Sequence, residues 1–282
     1  MSDCQGQRMA TVAPPAHELE ESTSQIQAKL HKDGVVKISG VFTHDEICNV
    51  RRAVFETLIH TNEQRKYEEG GHIQWRTVKG KKWPAIIFWP ALINEDLRSF
   101  RHHGKFVSII RSFLGGDTRQ MNNQVYLRLP GDDDEFNIHQ DYMFRREVQN
   151  RDLILKSYIQ TVVAIDQVDA SNGAVEFFLG SHKAGLLDLV ESDRSNLRKY
   201  DHSKRKILEA NFEPIVFDLD PGDMLVWNLL VAHGSRSNIS NRTRLTYMNG
   251  FCDSAASDVW PMFMKNNQLI ELDPAMIPVK AA

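Results

Sequence analysis

His139 and Asp141 stand two positions apart in the stretch Phe136-Asn-Ile-His-Gln-Asp141. On an extended strand, residues i and i+2 project to the same face. An imidazole and a carboxylate at that spacing reach one ion side by side. The best third ligand in the chain is His233, which follows the apolar run 224–232 and precedes Gly234-Ser235. Two histidines and one carboxylate form the facial donor set of non-heme Fe(II) oxygenases. Three ligands on one face leave three positions open, enough for a bidentate 2-oxo acid and then O2. Arg244 lies eleven residues after His233, where the next strand is expected to start. A guanidinium there suits the far carboxylate of a dicarboxylate, which it grips with two hydrogen bonds. Ser235 is placed to add another. Arg242, two positions earlier, competes for the same role.

The tripeptide His-x-Asp proves little by itself, because His31-Lys-Asp33 repeats it. That second copy falls where a helix is expected to give way to a turn, so its side chains need not share a face. The spacing of His139, Asp141, His233 and Arg244 therefore has to be judged by the elements that carry them.

Helices are expected first. Residues 18–31 read as one, followed by a strand over 35–39. Thr43-His-Asp-Glu46 has the pattern of a capping box and opens a helix to about His60, with Ile47, Val50, Val54 and Leu58 at helical spacing. Residues 63–82 are dense in charge, with a solvated turn expected at Lys79-Gly-Lys-Lys82, and 85–89 read as a strand. This segment is long enough to cover a substrate. A helix over 94–114 is stopped by Gly115-Gly116. It would carry His102 and His103 about 100° apart around its axis, which makes them a poor ligand pair.

From Asp117 the texture changes to short β-branched and aromatic runs between turn residues. Strands are expected over 124–129, 136–142, 157–166, 174–179, 213–219, 224–231 and 244–252. A charged helical insertion is expected over 186–211. Helices followed by many short strands predict an α+β chain with a mainly β, double-sheet core. The expected organisation is a loose tail over 1–16 and a single domain over 17–282, with its β core at about 117–253.

His139-Gln-Asp141, Ser171-Asn-Gly173 leading to Leu179-Gly-Ser-His182, Asp220-Pro-Gly-Asp223, and His233-Gly-Ser235 with Asn238 and Arg244 resemble the phytanoyl-CoA hydroxylase family. Ectoine hydroxylase belongs to the same family of Fe(II)/2-oxoglutarate dioxygenases. The resemblance runs in order from about Gln124 to Phe251. It implies a double-stranded β-helix (a jelly roll) flanked by N-terminal helices, with Fe(II) held by His139, Asp141 and His233. It also implies 2-oxoglutarate held by Arg244 and Ser235, and O2 as the oxidant. Relatives more often have proline where this chain has Leu179, a position that carries no ligand. His182 is then a turn residue. Related halogenases lack the carboxylate, so Asp141 favours hydroxylation, with release of succinate and CO2. The same cofactors also support desaturation, epimerisation or cyclisation of a natural-product intermediate. A non-catalytic jelly-roll binding module would not need the intact triad. A cupin-type metal isomerase would not need an arginine at the eleven-residue offset.

Met143-Phe144-Arg145-Arg146 follows the metal-binding stretch directly. Arg145 and Arg146 are candidates for an anionic substrate group, such as a carboxylate, phosphate or phosphonate. Gln124, Tyr126 and Arg128 share one strand face, as do Tyr158 and Gln160. Those faces are polar enough for the co-substrate, with Gln124 beside it, or for a small polar substrate touching Tyr126. With a net charge of -3, the chain carries no footprint for nucleic acid or an anionic membrane. No apolar stretch reaches the roughly 20 residues of a membrane span. Three scattered cysteines and no leader-like start fit a cytoplasmic enzyme of undetermined oligomeric state acting on a small molecule.

Overall fold

The computed structural model describes residues 16–63, 72–145, 148–189 and 199–277. In chain order the elements are α1 (Ala16–Asp33), β1 (Val35–Ile38), α2 (His44–Glu63), β2 (Ile73–Val78), β3 (Lys81–Phe88), α3 (Pro90–Ile93), α4 (Glu95–Arg101) and α5 (Gly104–Leu114). Then follow β4 (Thr118–Arg128), β5 (Phe136–His139), α6 (Arg151–Ser157), β6 (Ile159–Ala164), β7 (Val175–Phe178), α7 (His202–Glu209) and β8 (Pro214–Val216). The chain continues with β9 (Met224–Asn228), β10 (His233–Ser235), β11 (Arg244–Asp253), β12 (Met262–Lys265) and β13 (Gln268–Leu269).

Two sheets face each other, as the jelly-roll expectation required. The large one runs β1-β9-β6-β11-β4-β12-β13, with the β2–β3 hairpin joined through β3 to β4. The small one runs β5-β10-β7-β8. The side chains of each strand alternate between two burial environments. From the large sheet, Val163, Val226, Leu245 and Tyr247 point outward into a core shared with Val50 and Val54 of α2, Phe100 of α4, and Phe106 and Ile110 of α5. Val162, Ala164, Leu225 and Trp227 point inward and meet Phe177 of the small sheet. The helices thus cover one face of the large sheet and leave its other face to build the site.

The capping box forms as expected. The Thr43 N–H donates to Glu46 Oε2 at 2.7 Å, and the Glu46 N–H donates to Thr43 Oγ1 at 3.3 Å. Elsewhere the chain departs from the sequence reading. The expected helix 94–114 is broken in two. Asn94 caps α4, and the chain straightens at His102-His103 so that the His103 side chain caps α5. Both histidines therefore serve a helix junction. The charge-dense segment contains a hairpin. Lys79 (φ 49°) and Gly80 (φ 76°) form the left-handed two-residue turn that suits strand twist, and Trp75, Arg76 and Lys82 lie on paired strands. Of the expected helical insertion, α7 and residues 186–189 are described, the latter without helix, and 190–198 lie outside the described residues. The expected tail lies outside them as well, apart from its last residue, which begins α1.

Candidate active site

β10 is only three residues long, and it runs between β5 and β7. In its register His233 sits opposite His139. Their ring centroids are 4.3 Å apart. Gly234 makes this close pairing possible: a Cβ there would lie 3.0 Å from the Phe136 carbonyl oxygen and 3.1 Å from the Ile138 nitrogen.

Asp141 does not reach the site by strand alternation. β5 ends at His139, and Asp141 opens a short 3-10 turn through Phe144. Gln140 causes the departure. Its amide nitrogen donates to the carbonyls of Leu230 at 2.7 Å and Gly185 at 2.8 Å, and its amide oxygen accepts from the Leu187 N–H at 2.9 Å. A side chain held by three backbone groups pulls the chain off the sheet. The turn then brings Asp141 back to the histidines. Its Oδ1 lies 3.5 Å from His139 Nε2 and 3.6 Å from His233 Nε2. Among the described residues, these three are the one group of histidine, cysteine and acidic side chains placed to hold a metal ion, with ligand atoms within 4.8 Å of one another.

The surrounding groups orient each of the three candidate ligands. His139 Nδ1–H donates to the Asn137 carbonyl at 2.8 Å, and His233 Nδ1–H donates to the Val231 carbonyl at 2.9 Å. Both rings therefore turn the Nε2 lone pair toward the shared space, which is how backbone carbonyls fix a ligating histidine. Burial and the neighbouring His139 push His233 down to about 4, so it is neutral and ready to ligate near pH 7. Burial alone would raise the Asp141 carboxyl. His233, His139 and Arg145 outweigh that and hold it well below the usual carboxylate range. Two imidazoles and one carboxylate fit a divalent first-row ion with positions to spare.

Asp141 has a partner that the sequence reading missed. The indole Nε1–H of Trp227 donates to Asp141 Oδ2 at 2.8 Å. This fixes the carboxylate so that Oδ1 faces the histidines. The signal was present, since Trp227 sits in the β9 run ahead of His233, but an apolar run conceals which face an indole takes. Trp227→Phe keeps the ring's bulk and removes the donor. Anaerobic Fe(II) titration of that variant should give an affinity weaker by about tenfold, the usual scale for losing a partner of a metal ligand, with circular dichroism unchanged.

The Arg244 side of the site is also built. Arg244 lies opposite Arg128 on β4. Both are buried. Arg244 Nε has no hydrogen-bond partner among the described residues. Burial and the nearby Arg128 depress its guanidinium to about 9. Arg76 pairs with Asp132 and Asp134 at 2.7 Å each, and Arg128 binds the Asp134 carbonyl. Three cations against two carboxylates leave one positive charge, and among the described residues Arg244 is the one of the three whose Nε is buried without a partner. Ser235 Oγ faces the same group, 3.4 Å from an Arg128 nitrogen. Tyr126 Oη donates to Gln124 Oε1 at 3.0 Å, and Tyr126 lies close enough to act on the Arg244 charge. Gln124 and Tyr126 are thus placed together, on the Arg244 side.

Arg242 is committed elsewhere. It donates to Gln167 at 2.7 Å, to Ser171 at 3.2 Å and to Asp169. Asn238 holds the same turn through the carbonyls of Leu129 and Arg242. The second His-x-Asp copy is structural. Asp33 pairs with Lys29 at 3.0 Å, and the His31 carbonyl accepts from His182 at 3.1 Å. Arg145 is partly buried beside Tyr158, and Arg146 lies outside the described residues.

A family model described as phytanoyl-CoA dioxygenase matches residues 30–246. No curated protein matches the chain. Among solved structures, the chain is similar to EctD from S. alaskensis with 2-oxoglutarate and 5-hydroxyectoine. That match has a TM-score of 0.64 and 14% identity, and covers 90% of this chain and 81% of that one. It is also similar to the non-heme α-ketoglutarate-dependent epimerase SnoN from nogalamycin biosynthesis, with a TM-score of 0.60 and 16% identity over 83% of this chain and 84% of that one. The carbocyclase SnoK from the same biosynthesis gives a TM-score of 0.60 and 16% identity, over 82% and 83%. At these identities the likeness is one of fold.

Proposed function

The chain belongs to the phytanoyl-CoA dioxygenase family, whose members are non-heme iron, 2-oxoglutarate-dependent oxygenases, and on that premise we propose that it hydroxylates a C–H bond of a small polar metabolite. The observation that carries the proposal is the convergence of His139, Asp141 and His233 together with a buried Arg244 on the facing sheet whose Nε has no partner among the described residues. In this reading His139, Asp141 and His233 hold Fe(II). Arg244 binds the far carboxylate of 2-oxoglutarate, with Ser235 as a further donor and Gln124 beside it. Loaded with 2-oxoglutarate, the iron supplies O2 activation and oxidising power, with succinate and CO2 as co-products. The chain's own residues bind, orient and shield. Trp227 steadies Asp141, the carbonyls of Asn137 and Val231 keep both imidazoles in the ligating tautomer, and the inward apolar rows of both sheets exclude water. A substrate as large as a CoA thioester would call for a broad basic surface, and a net charge of -3 argues against one. Among the described residues no helix is long and apolar enough to cross a membrane.

The fold likeness to SnoN and SnoK favours one second reading, in which the same site rearranges its substrate without adding oxygen. Labelled oxygen separates the two. Turnover under 18O2 should place one heavy oxygen in succinate and one in the product, with one succinate per product. Succinate labelled with an unlabelled, isomerised product would replace hydroxylation by epimerisation or cyclisation.

A further inference from the structure

Arg145 follows the turn that carries Asp141; its charge helps hold the Asp141 carboxyl low, and neither the three metal-site side chains nor the Arg244 group takes a hydrogen bond from it. Its Nη1 donates to the Phe144 carbonyl at 3.2 Å and its Nη2 to Tyr158 Oη at 3.4 Å. Its Nε is buried with no hydrogen-bond partner. The guanidinium carbon lies 5.5 Å from the Tyr158 ring centroid and 5.8 Å from that of Trp260. Among the described residues no carboxylate comes within ion-pair distance of it. A guanidinium walled by two aromatic rings and bonded only to neutral groups is costly unless an anion completes it.

The groups around it are donors and adaptable amides. Tyr158 Oη, kept protonated by burial, donates to Gln160 Oε1. Gln160 and Asn122 exchange amide hydrogen bonds at 3.1 and 3.3 Å. Gln160 lies opposite Trp227 in the sheet register, and Trp227 holds Asp141. The chain Arg145–Tyr158–Gln160–Asn122 therefore runs from the end of the turn that carries Asp141 onto the inner face of the large sheet, with Gln160 one strand from Trp227. Gly250 lies between Asn122 and Gln160 in register. A Cβ on Gly250 would stand 2.5 Å from Tyr158 Oη and 2.9 Å from Gln160 Oε1. The missing side chain is what lets these polar groups gather.

We propose that Arg145, Tyr158, Gln160 and Asn122 form a subsite for a single carboxylate of the substrate, so that the enzyme acts on a small carboxylic acid. The proposal rests on the oxygenase reading above. Charge arithmetic selects a monoanion. The two positive charges of Fe(II), the negative Asp141, the two negative charges of 2-oxoglutarate and the surplus cation at Arg244 sum to zero. Arg145 is the cation left over. One guanidinium with neutral donors matches a carboxylate, whereas a phosphate dianion calls for a second fixed cation.

The test is carried out on Zn(II) protein saturated with 2-oxoglutarate and carrying 15N-arginine. The Arg145 Nε–H resonance is assigned by its loss in Arg145→Lys. Acetate is titrated in, with acetamide as the neutral isostere and sulfate as the dianion. The proposal expects acetate to shift the Arg145 signal saturably, at a concentration lower than acetamide by about tenfold or more, the scale of a charge-assisted pair. Gly250→Ala, which crowds Tyr158 and Gln160 without left-handed backbone strain, should weaken acetate by about fivefold or more, the effect of losing one buried hydrogen bond. Its 2-oxoglutarate affinity should be unchanged. The proposal is overturned if acetate moves no arginine signal or only that of Arg244, if acetamide titrates equally, or if sulfate binds more tightly than acetate. A parallel anaerobic Fe(II) spectrum separates the two failures. Without a 2-oxoglutarate-dependent visible band the oxygenase reading falls, whereas with the band and a flat acetate titration only the carboxylate subsite falls.

Discussion

Asp141→Asn should abolish hydroxylation and weaken Fe(II) binding by roughly a thousandfold, well past the 10–100-fold that follows from losing a ligand's supporting partner. The substitution is nearly isosteric, and the new amide still offers an oxygen to the Trp227 indole, so the fold should survive. The charge is what disappears. Asp141 sits between two imidazoles at 3.5 and 3.6 Å, and its carboxylate is the negative charge through which His139 and His233 act on it. Without that charge the ion meets neutral donors only, and the amide nitrogen competes for the position facing it. The effect should appear first in anaerobic metal titration and only then in turnover. An Asp141→Asn protein that bound Fe(II) within about threefold of the wild type, far inside the range expected for even a supporting partner, would remove Asp141 from the ligand set.

The second large effect concerns the arginines. Arg244→Ala should raise the 2-oxoglutarate concentration needed for half-saturation by roughly 100-fold, since truncating one partner of a buried charge pair costs several kcal/mol. Arg242→Ala should leave that concentration within about threefold, as expected of a rim charge that touches no ligand. The two differ in what they already hold. Arg244 is buried with an unsatisfied Nε, while Arg242 is bonded to Asp169, Ser171 and Gln167. The Arg242 hydrogen bond is the leading reason the Asp169 carboxyl is lowered to about 2. A carboxyl lowered on folding stabilises the fold above its unfolded value near 4, and that contribution fades as pH falls toward 2. Arg242→Ala should therefore flatten the acid side of the stability profile without touching the co-substrate. Inverted kinetics in the two variants would show that the wrong guanidinium had been assigned.

These expectations depend on a site that was partly legible in the sequence. His139, Asp141, His233 and Arg244 were readable because their types are rare in apolar strands and their order leaves room for intervening strands. Strand alternation predicted a shared face for His139 and Asp141, whereas a side chain two positions ahead of Tyr142, Gln140, captures three backbone groups and turns the chain. Such a role depends on Gly185, Leu187 and Leu230, distant in sequence, and no local pattern announces it. The break at His102-His103 was hidden for the same kind of reason. Apolar spacing continues across it, and only the His103 cap marks the new helix. The β2–β3 hairpin was masked by charge, because it joins the large sheet at the Ile86 and Ile87 end while its tip is exposed. Tyr158 and Gln160 were recognisable as an oddly polar strand face. Their purpose emerged only with Arg145 and the space left by Gly250.

The central claim is that His139, Asp141 and His233 hold iron while Arg244 holds 2-oxoglutarate against it. An anaerobic visible spectrum of the purified chain tests this most directly. Addition of Fe(II) and then 2-oxoglutarate should produce a weak visible charge-transfer band that neither component gives alone. The band should be absent in Asp141→Asn and should require much more 2-oxoglutarate in Arg244→Ala. A wild-type protein that binds both components and shows no band would contradict the account.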